Sequence, residues 1–244
     1  MATVLTPSLA RSRSVFYTGM VLMLMLVVVA GFMPGYFSRM GAGEPIPAFV
    51  HAHAAVFTAF LFVLLTQTLL IGAGRVDLHR WLGIAATVLV LPMLALGYET
   101  AIFGARRDHP FTDGAPPPDS AFADGLSFLV VSLGDLVLFA AFFGAALLLR
   151  RRPETHKRLM ILAAIGGFAW PAITRLPLVT GMPSRMFGLM ALLLLALPLH
   201  DLVSRRRVHW ASAVGVIVIL GSFPLRRAIG ASSAWREIAV WLTS

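Results

Sequence analysis

Two octets of nearly the same sequence lie in different halves of the chain and contain its best-placed candidate cofactor ligands. The first, RVDLHRWL, runs from Arg75 to Leu82, and the second, RPETHKRL, runs from Arg152 to Leu159. Both fit the pattern Arg-x-(Asp/Glu)-x-His-(Arg/Lys)-x-Leu. Imidazole is a common ligand of iron and other transition metals, so His79 and His156 are the first residues to consider for chemistry.

The composition is that of a polytopic membrane protein. The chain has 244 residues, of which 58% are hydrophobic and only 13% are charged, and its mean hydropathy is +0.84. A soluble domain has about a quarter of its residues charged. We therefore expect an all-α bundle of transmembrane helices that fills residues 1–244 as one membrane domain, with the lipid bilayer as its partner.

Seven apolar segments are long enough to span a bilayer, and a short interfacial helix is expected after them. The first segment is interpreted as an uncleaved signal anchor, and its cleavage would leave six spans. The connection 105–122 is expected to be irregular. The predicted spans are 15–33, 48–71, 80–104, 123–149, 156–176, 186–203 and 210–225. The predicted interfacial helix is 231–244, with Trp235, Ile238, Ala239 and Leu242 on one face.

The net charge of +9 indicates membrane topology rather than nucleic-acid binding, because Lys and Arg accumulate in cytoplasmic loops. The connections 72–79, 150–155 and 204–209 are richer in arginine than the alternate connections. This bias predicts a cytoplasmic N-terminus and a periplasmic C-terminus. One lysine, nineteen arginines and no asparagine indicate a GC-rich bacterial genome, so the expected location is a bacterial inner membrane.

The repeated octet has two interpretations. In the first it is only a topological signal, in which arginine holds the loop inside, Asp77 or Glu154 caps the helix, and leucine re-enters the lipid. In the second, His79 and His156 lie at one depth on two helices that run in the same direction. A helix N-terminus favours neutral imidazole, and two neutral imidazoles are what a b-type haem requires.

The haem interpretation assigns a further role to the neighbouring arginines. Arg75, Arg80, Arg152 and Arg158 are expected to lie close enough to pair with haem propionates. Haem b is therefore the candidate cofactor at this site.

Three short motifs carry a resemblance to known membrane proteins. HRWLG at His79 to Gly83, HKRLM at His156 to Met160, and HAHAAVFTAFLFVLLTQT at His51 to Thr68 resemble motifs of uncharacterised bacterial multi-span inner-membrane proteins. More distantly, HRWLG resembles the His-Arg-x-x-Gly entry motif of haem A synthase-type and other four-helix b-type cytochromes. The resemblance covers about residues 50–185, and it implies that His79 and His156 are the haem ligands.

Ionisable side chains within the predicted spans are a second set of candidates, because such residues are costly in a membrane. Glu99 and Arg175 are expected to pair near the outer surface, with His53 close by. Asp135 is expected to face the bundle interior near the middle of its span. Gln67 is placed at the inner end of its span. No metal site is predicted, because two histidines and one carboxylate are a thin ligand set.

Several classes of protein are excluded by what the sequence lacks. With no cysteine it has no thiolate zinc site, iron–sulfur cluster or covalent c-type haem. The last span has no lysine for a retinal Schiff base, and no nucleotide-binding or protease motif is present. Catalytic residues and an enzymatic class stay unassigned. Three functions are open: a haem-binding or redox-associated protein, a small proton-coupled transporter or sensor that uses Asp135 and the outer polar layer, and an accessory protein.

Overall fold

The chain folds into eight helices, as seen in a computed structural model that describes residues 7–107, 124–179 and 182–244, with side chains from residue 15 onward. No strand occurs in these ranges, so the predicted all-α class is confirmed. The helices are α1 (Pro7–Phe32, continuing through Met33–Phe37 and Ser38–Gly41), α2 (Ala48–Gly72), α3 (Val76–Arg106), α4 (Gly125–Leu148), α5 (Pro153–Ala164, continuing through Ile165–Ala169 and Trp170–Ile173), α6 (Pro183–Arg205), α7 (Trp210–Gly230) and α8 (Ser233–Thr243).

Six of these helices are long and apolar enough to cross a membrane: α1 to α4, α6 and α7. The protein is therefore an integral membrane protein. The fifth predicted span corresponds to α5, which is not one of the six. A helix of its length, Pro153 to Ile173, extends about 30 Å, close to the thickness of a bilayer core.

Helix α5 lies at the centre of the bundle, where it contacts α1, α4, α6 and α7. Leu162, Ala164, Ala169 and Ile173 have no exposed surface. Its middle, Ile165–Ala169, is π-helical. Pro171, two residues beyond, cannot donate a backbone hydrogen bond, and such interruptions commonly accompany π-helical turns. The central position lets protein side chains, rather than lipid, surround most of this helix.

The backbones of α1 and α5 approach each other very closely at Gly31. A Cβ atom at this position would lie 2.2 Å from the carbonyl oxygen of Ala172. Only glycine permits this contact, because any other residue would push the two helices apart. The first predicted span is thereby packed into the core, and Val21 and Leu24 of α1 are buried there.

Two helices extend well beyond the predicted spans. The first span does not end at residue 33, because α1 continues through a π-helical turn, Met33–Phe37, to Gly41. The last span does not end at residue 225, because α7 continues to Gly230 and so includes Arg226. In both cases a polar or proline residue interrupts the apolar run without ending the helix. Most of the connection predicted as irregular, 108–122, lies outside the described residues.

The predicted interfacial helix at the end of the chain exists as α8, but it contacts protein on its buried face. Trp235, Ala239 and Leu242 pack against α3 and α4, and Trp235 donates from Nε1 to the carbonyl oxygen of Leu126 at 2.9 Å. Ile238 was expected on the same face but is exposed. Arg106 fixes the end of the helix by donating to the carbonyl oxygens of Thr243 and Ser244 at 2.9 and 3.0 Å.

Candidate functional site

The two octets form the same local structure. Arg75 is the N-cap of α3 and Arg152 is the N-cap of α5. Each histidine is therefore the fourth residue of its helix, and each acid is the second. The N-cap residues are arginines without a side-chain cap bond, and each acid lies in the first turn of its helix, as expected. Asp77 also accepts from Arg75 at 3.4 Å.

This shared geometry brings the two histidines together. The rings of His79 and His156 have centroids 6.3 Å apart, with their planes at 87°. The turns at 73–75 and 149–152, which precede the two helices, define what we call the octet end of the bundle. Two residues that are far apart in the chain thus meet at one level of the bundle, as their equal positions in the two octets predict.

A backbone carbonyl sets the tautomer of His156. Its Nδ1 lies 2.8 Å from the carbonyl oxygen of Ala146. A carbonyl can only accept, so Nδ1 carries the proton and Nε2 keeps its lone pair. No described residue forms a hydrogen bond with this Nε2. Metal-binding histidines are commonly held in this way, with one ring nitrogen bonded to a carbonyl and the other free for the ligand bond.

Buried polar atoms without a partner surround the histidine pair. Nδ1 of His79 and Oε1 of Gln67 are both buried, and neither has a hydrogen-bond partner among the described residues. Gln67 packs against Gly83, where a Cβ would lie 3.6 Å from its Nε2. Gly83 is one helical turn beyond His79, so Gln67 faces the same side of α3. Buried unpaired polar atoms are costly, so this cluster has unused bonding capacity.

Of the four arginines expected near a haem propionate, Arg158 is used elsewhere. It is 1% exposed and donates from Nε to Oδ1 of Asp201 at 3.0 Å, and it also binds Glu154. Arg80 and Arg152 are exposed at the octet end, and Arg75 is engaged with Asp77. The expectation was therefore wrong for Arg158, because a deep carboxylate on α6 binds it.

Asp201 is the centre of a buried network that sequence reasoning missed. Besides Arg158 it accepts from Ser212 Oγ at 2.6 Å and from the backbone N–H of His209 at 3.1 Å. Glu154 joins the network by accepting from Lys157, Arg158 and Arg205. These bonds tie α5, α6 and the start of α7 together at the octet end. The sequence did contain a signal for this network. Asp201 lies within the apolar run LPLHDLV, and an ionisable residue within a span is a candidate functional residue, as Asp135 was.

At the opposite end, the predicted layer of His53, Glu99 and Arg175 forms only in part. His53 stacks on Phe57, with ring centroids 4.0 Å apart, and lines a cavity together with Arg175. Glu99 is exposed, whereas Arg175 donates to the carbonyl oxygen of Pro171. Gly97 and Ala101 of α3 line the cavity, and Glu99 is two residues from each. A step of two residues turns a helix by about 200°, so Glu99 points away.

Asp135 lies inside the bundle and is paired with a residue that the sequence had placed outside it. Arg226 of α7 donates from Nη1 to Oδ1 of Asp135 at 2.6 Å and to the carbonyl oxygen of Val131 at 3.1 Å. Both side chains are buried. Gly134 makes room for them, because a Cβ there would lie 2.6 Å from Nε of Arg226.

The donor set at the octet end suits haem better than a bare metal ion. No group of three or more His, Cys, Asp or Glu side chains that could hold a metal occurs within the described parts of the chain. Structural and catalytic metal ions usually need three or four protein ligands. A haem iron needs only one or two, because the porphyrin supplies the other four.

Comparisons with protein-family models, with curated proteins and with solved structures found no match.

Proposed function

We propose that this integral membrane protein binds haem b through His79 and His156 and carries electrons in the membrane. The observation that supports the proposal best is the pair of imidazole rings with centroids 6.3 Å apart. Iron held by two imidazoles at about 2 Å each separates the ligand nitrogens by roughly 4 Å and the ring centres by roughly 6 Å. When bound, a haem with two histidine ligands supplies one-electron transfer.

The surrounding residues have complementary roles in this proposal. The Ala146 carbonyl holds His156 in the tautomer whose Nε2 can bind iron. Arg80 and Arg152 are exposed at the same end and are the residues assigned to the propionates. Arg158 is excluded from this role by its bonds to Asp201 and Glu154. Gln67 provides a buried polar atom beside the ligands.

Titration of the purified protein with haemin tests the proposal. We expect saturation at one haem per chain, with the spectrum of a six-coordinate low-spin complex. His79→Ala and His156→Ala should each abolish that spectrum. His51→Ala is the matched control. His51 lies near the start of α2, at the end of the bundle opposite the octets, and its hydrogen bond is with the Tyr36 hydroxyl at 2.7 Å. Haem binding that is unchanged in both test variants would reject His79 and His156 as the ligands, and a folded wild-type protein that binds no haem would favour an accessory role.

We also propose that the octet end faces the cytoplasm of a bacterial inner membrane. Arg150 to Arg152 and Arg205 to Arg207 lie at this end, and the positive-inside rule supports the orientation. The absence of cysteine makes single-cysteine labelling direct. Ala73 and Ala42 are exposed at opposite ends. A membrane-impermeant maleimide applied to intact spheroplasts should label Ala42→Cys and spare Ala73→Cys, and the reverse pattern would contradict the orientation.

A further inference from the structure

A cavity of about 780 Å³ opens at the end of the bundle opposite the octets. It lies between α1, α2, α3, α4 and the π-helical part of α5. Its volume is within the range of pockets that bind small molecules. None of the residues of the haem proposal lines it, so a ligand here would be independent of haem.

The cavity extends along the helices of the bundle. Its mouth includes Arg39, Pro45 and Arg107, at the ends of α1 and α3 and before the start of α2. Its floor includes Leu61, thirteen residues beyond the first residue of α2, a distance of about 20 Å along a helix. The cavity therefore extends from the membrane surface to near the middle of the bilayer.

The walls of the lower part are mostly apolar. Phe57, Leu61, Leu136 and Phe168 line it, together with the hydroxyl side chains of Thr58 and Ser132. The carboxylate at this depth, Asp135, has its charge matched by Arg226, which does not line the cavity. A ligand group at the floor therefore meets mainly hydrocarbon, two hydroxyl groups and a neutralised ion pair. An apolar chain satisfies this lining, whereas a charged group would not.

The upper part is cationic. Arg107 and Arg175 line this part, and Arg39, which also lines the cavity, is paired with Glu44 at 3.7 Å. The guanidinium of Arg175 lies 4.7 Å from the ring centroid of Phe32, and that of Arg107 lies 5.2 Å from the ring centroid of Phe103. These cation–π contacts hold both guanidinium groups on the cavity wall. Guanidinium groups bind carboxylates with two parallel hydrogen bonds.

We propose that this cavity binds a long-chain fatty acid, with its carboxylate at the arginine-lined mouth and its chain in the apolar shaft. The carboxylate is assigned to the mouth because its charge is opposite to that of the arginines. The hydrocarbon chain is assigned to the lower part because the walls there are mostly apolar. A free fatty acid is assigned because Arg107 and Arg175 offer charge for a carboxylate, while most of the remaining lining suits a hydrocarbon chain. The proposal gives the protein a ligand site distinct from the histidine pair.

Competition against a fluorescent fatty acid, with purified protein in detergent, measures the specificity. Oleate should bind at least about tenfold more tightly than oleyl alcohol, which has the same chain without the charge. Phosphatidylglycerol should compete more weakly than oleate. Equal affinity for oleate and oleyl alcohol would overturn the assignment of the head group, and stronger competition by phosphatidylglycerol would overturn the assignment of the ligand.

Two pairs of variants locate the site. Arg175→Gln should weaken oleate binding at least about tenfold, whereas Arg227→Gln, an exposed arginine of α7 that does not line the cavity, should have no effect. Ala54→Trp should fill the cavity and abolish binding. Its neighbour Ala55 is exposed and outside the lining, so Ala55→Trp should bind normally. Normal binding by a folded Ala54→Trp variant would overturn the proposal even if Arg175→Gln failed to fold.

Discussion

Asp135 and Arg226 form a buried ion pair between α4 and α7, with Nη1 of Arg226 2.6 Å from Oδ1 of Asp135. The guanidinium also donates to the carbonyl oxygen of Val131, and its Nη2 has no partner among the described residues. An unpaired charge buried inside a membrane protein is costly, so these two opposite charges are tolerated only because they pair. The pair therefore fixes how α4 and α7 are rotated against each other, and it explains why a carboxylate is tolerated near the middle of a span.

Removing one member of this pair should lower the free energy of unfolding far more than removing both. Asp135→Leu should cost about 3–5 kcal/mol in the free energy of unfolding, because it strands the Arg226 charge. The double variant Asp135→Leu with Arg226→Met should recover much of that loss. Unfolding in detergent measures the effect, with Glu99→Gln as a nearly neutral control because Glu99 is exposed. Strictly additive losses would contradict an energetically coupled pair.

Two glycines of α4 offer a second test of the same contact. Gly134→Ala should destabilise the protein, because its Cβ would meet the Arg226 side chain at 2.6 Å. At Gly144 a Cβ would meet nothing within 4 Å. Gly144→Ala should therefore be neutral or stabilise the helix by up to about 1 kcal/mol. Melting temperatures of the two variants compare the effects directly, and equal shifts would show that Arg226 is not packed against Gly134.

The network around Asp201 predicts a strong effect at the octet end. Asp201→Ala removes the acceptor for Arg158, Ser212 and His209, and leaves a buried guanidinium without its main partner. We expect a loss of about 3–5 kcal/mol in the free energy of unfolding. Asp77→Ala is the matched control in the exposed octet, and it should change stability little. A small effect of Asp201→Ala would mean that the network is not structurally important.

The docking of α8 should depend on one exposed ion pair and on pH. Arg236 donates to Asp124 at 2.8 Å, and Asp124 also caps α4 by accepting from the backbone N–H of Ser127. Burial alone would raise the pKa of Asp124, but the hydrogen bonds from Ser127 and Arg236 outweigh it and lower that pKa below its usual value. The stabilisation is therefore complete above the ordinary aspartate pKa, about 4, and is lost as the pH falls through the lowered one.

Hydrogen exchange in α8 measures this dependence. Amide protection of residues 233–243 should be constant from pH 7 to about pH 5, once the intrinsic exchange rates are corrected for pH, and should fall at still lower pH. Arg236→Gln should reduce the protection at neutral pH. Arg227→Gln provides the control, because Arg227 is exposed and forms no ion pair with any described residue. Protection that rises as the pH falls would contradict the role of Asp124.

Hydropathy was sufficient to predict most of the helices, because apolar runs of membrane length have few alternatives to a helix. It failed where a helix continues past its apolar run. Arg226 directly follows the predicted span 210–225, yet α7 continues past it, and its side chain pairs with Asp135 in the core. The end of a hydrophobic segment and the end of a helix are different properties.

The equal level of His79 and His156 could be predicted because it depends only on position within two matching helices. The rotation of each helix about its axis could not be predicted in the same way. Glu99 was paired with Arg175 by depth alone, and it points to the other side of α3. The partners of Arg158 and Arg226 lie on helices distant in the sequence, and no local pattern identifies them.

An optical spectrum shows whether His79 and His156 are the axial ligands of a haem b. The full-length protein should be purified from cells supplied with haem and measured oxidised and then reduced with dithionite. We expect the sharp α and β bands of a six-coordinate low-spin b-type haem, which should be lost in both His79→Ala and His156→Ala but retained in His51→Ala. A featureless difference spectrum from folded wild-type protein, or bands that persist in both test variants, would contradict this assignment.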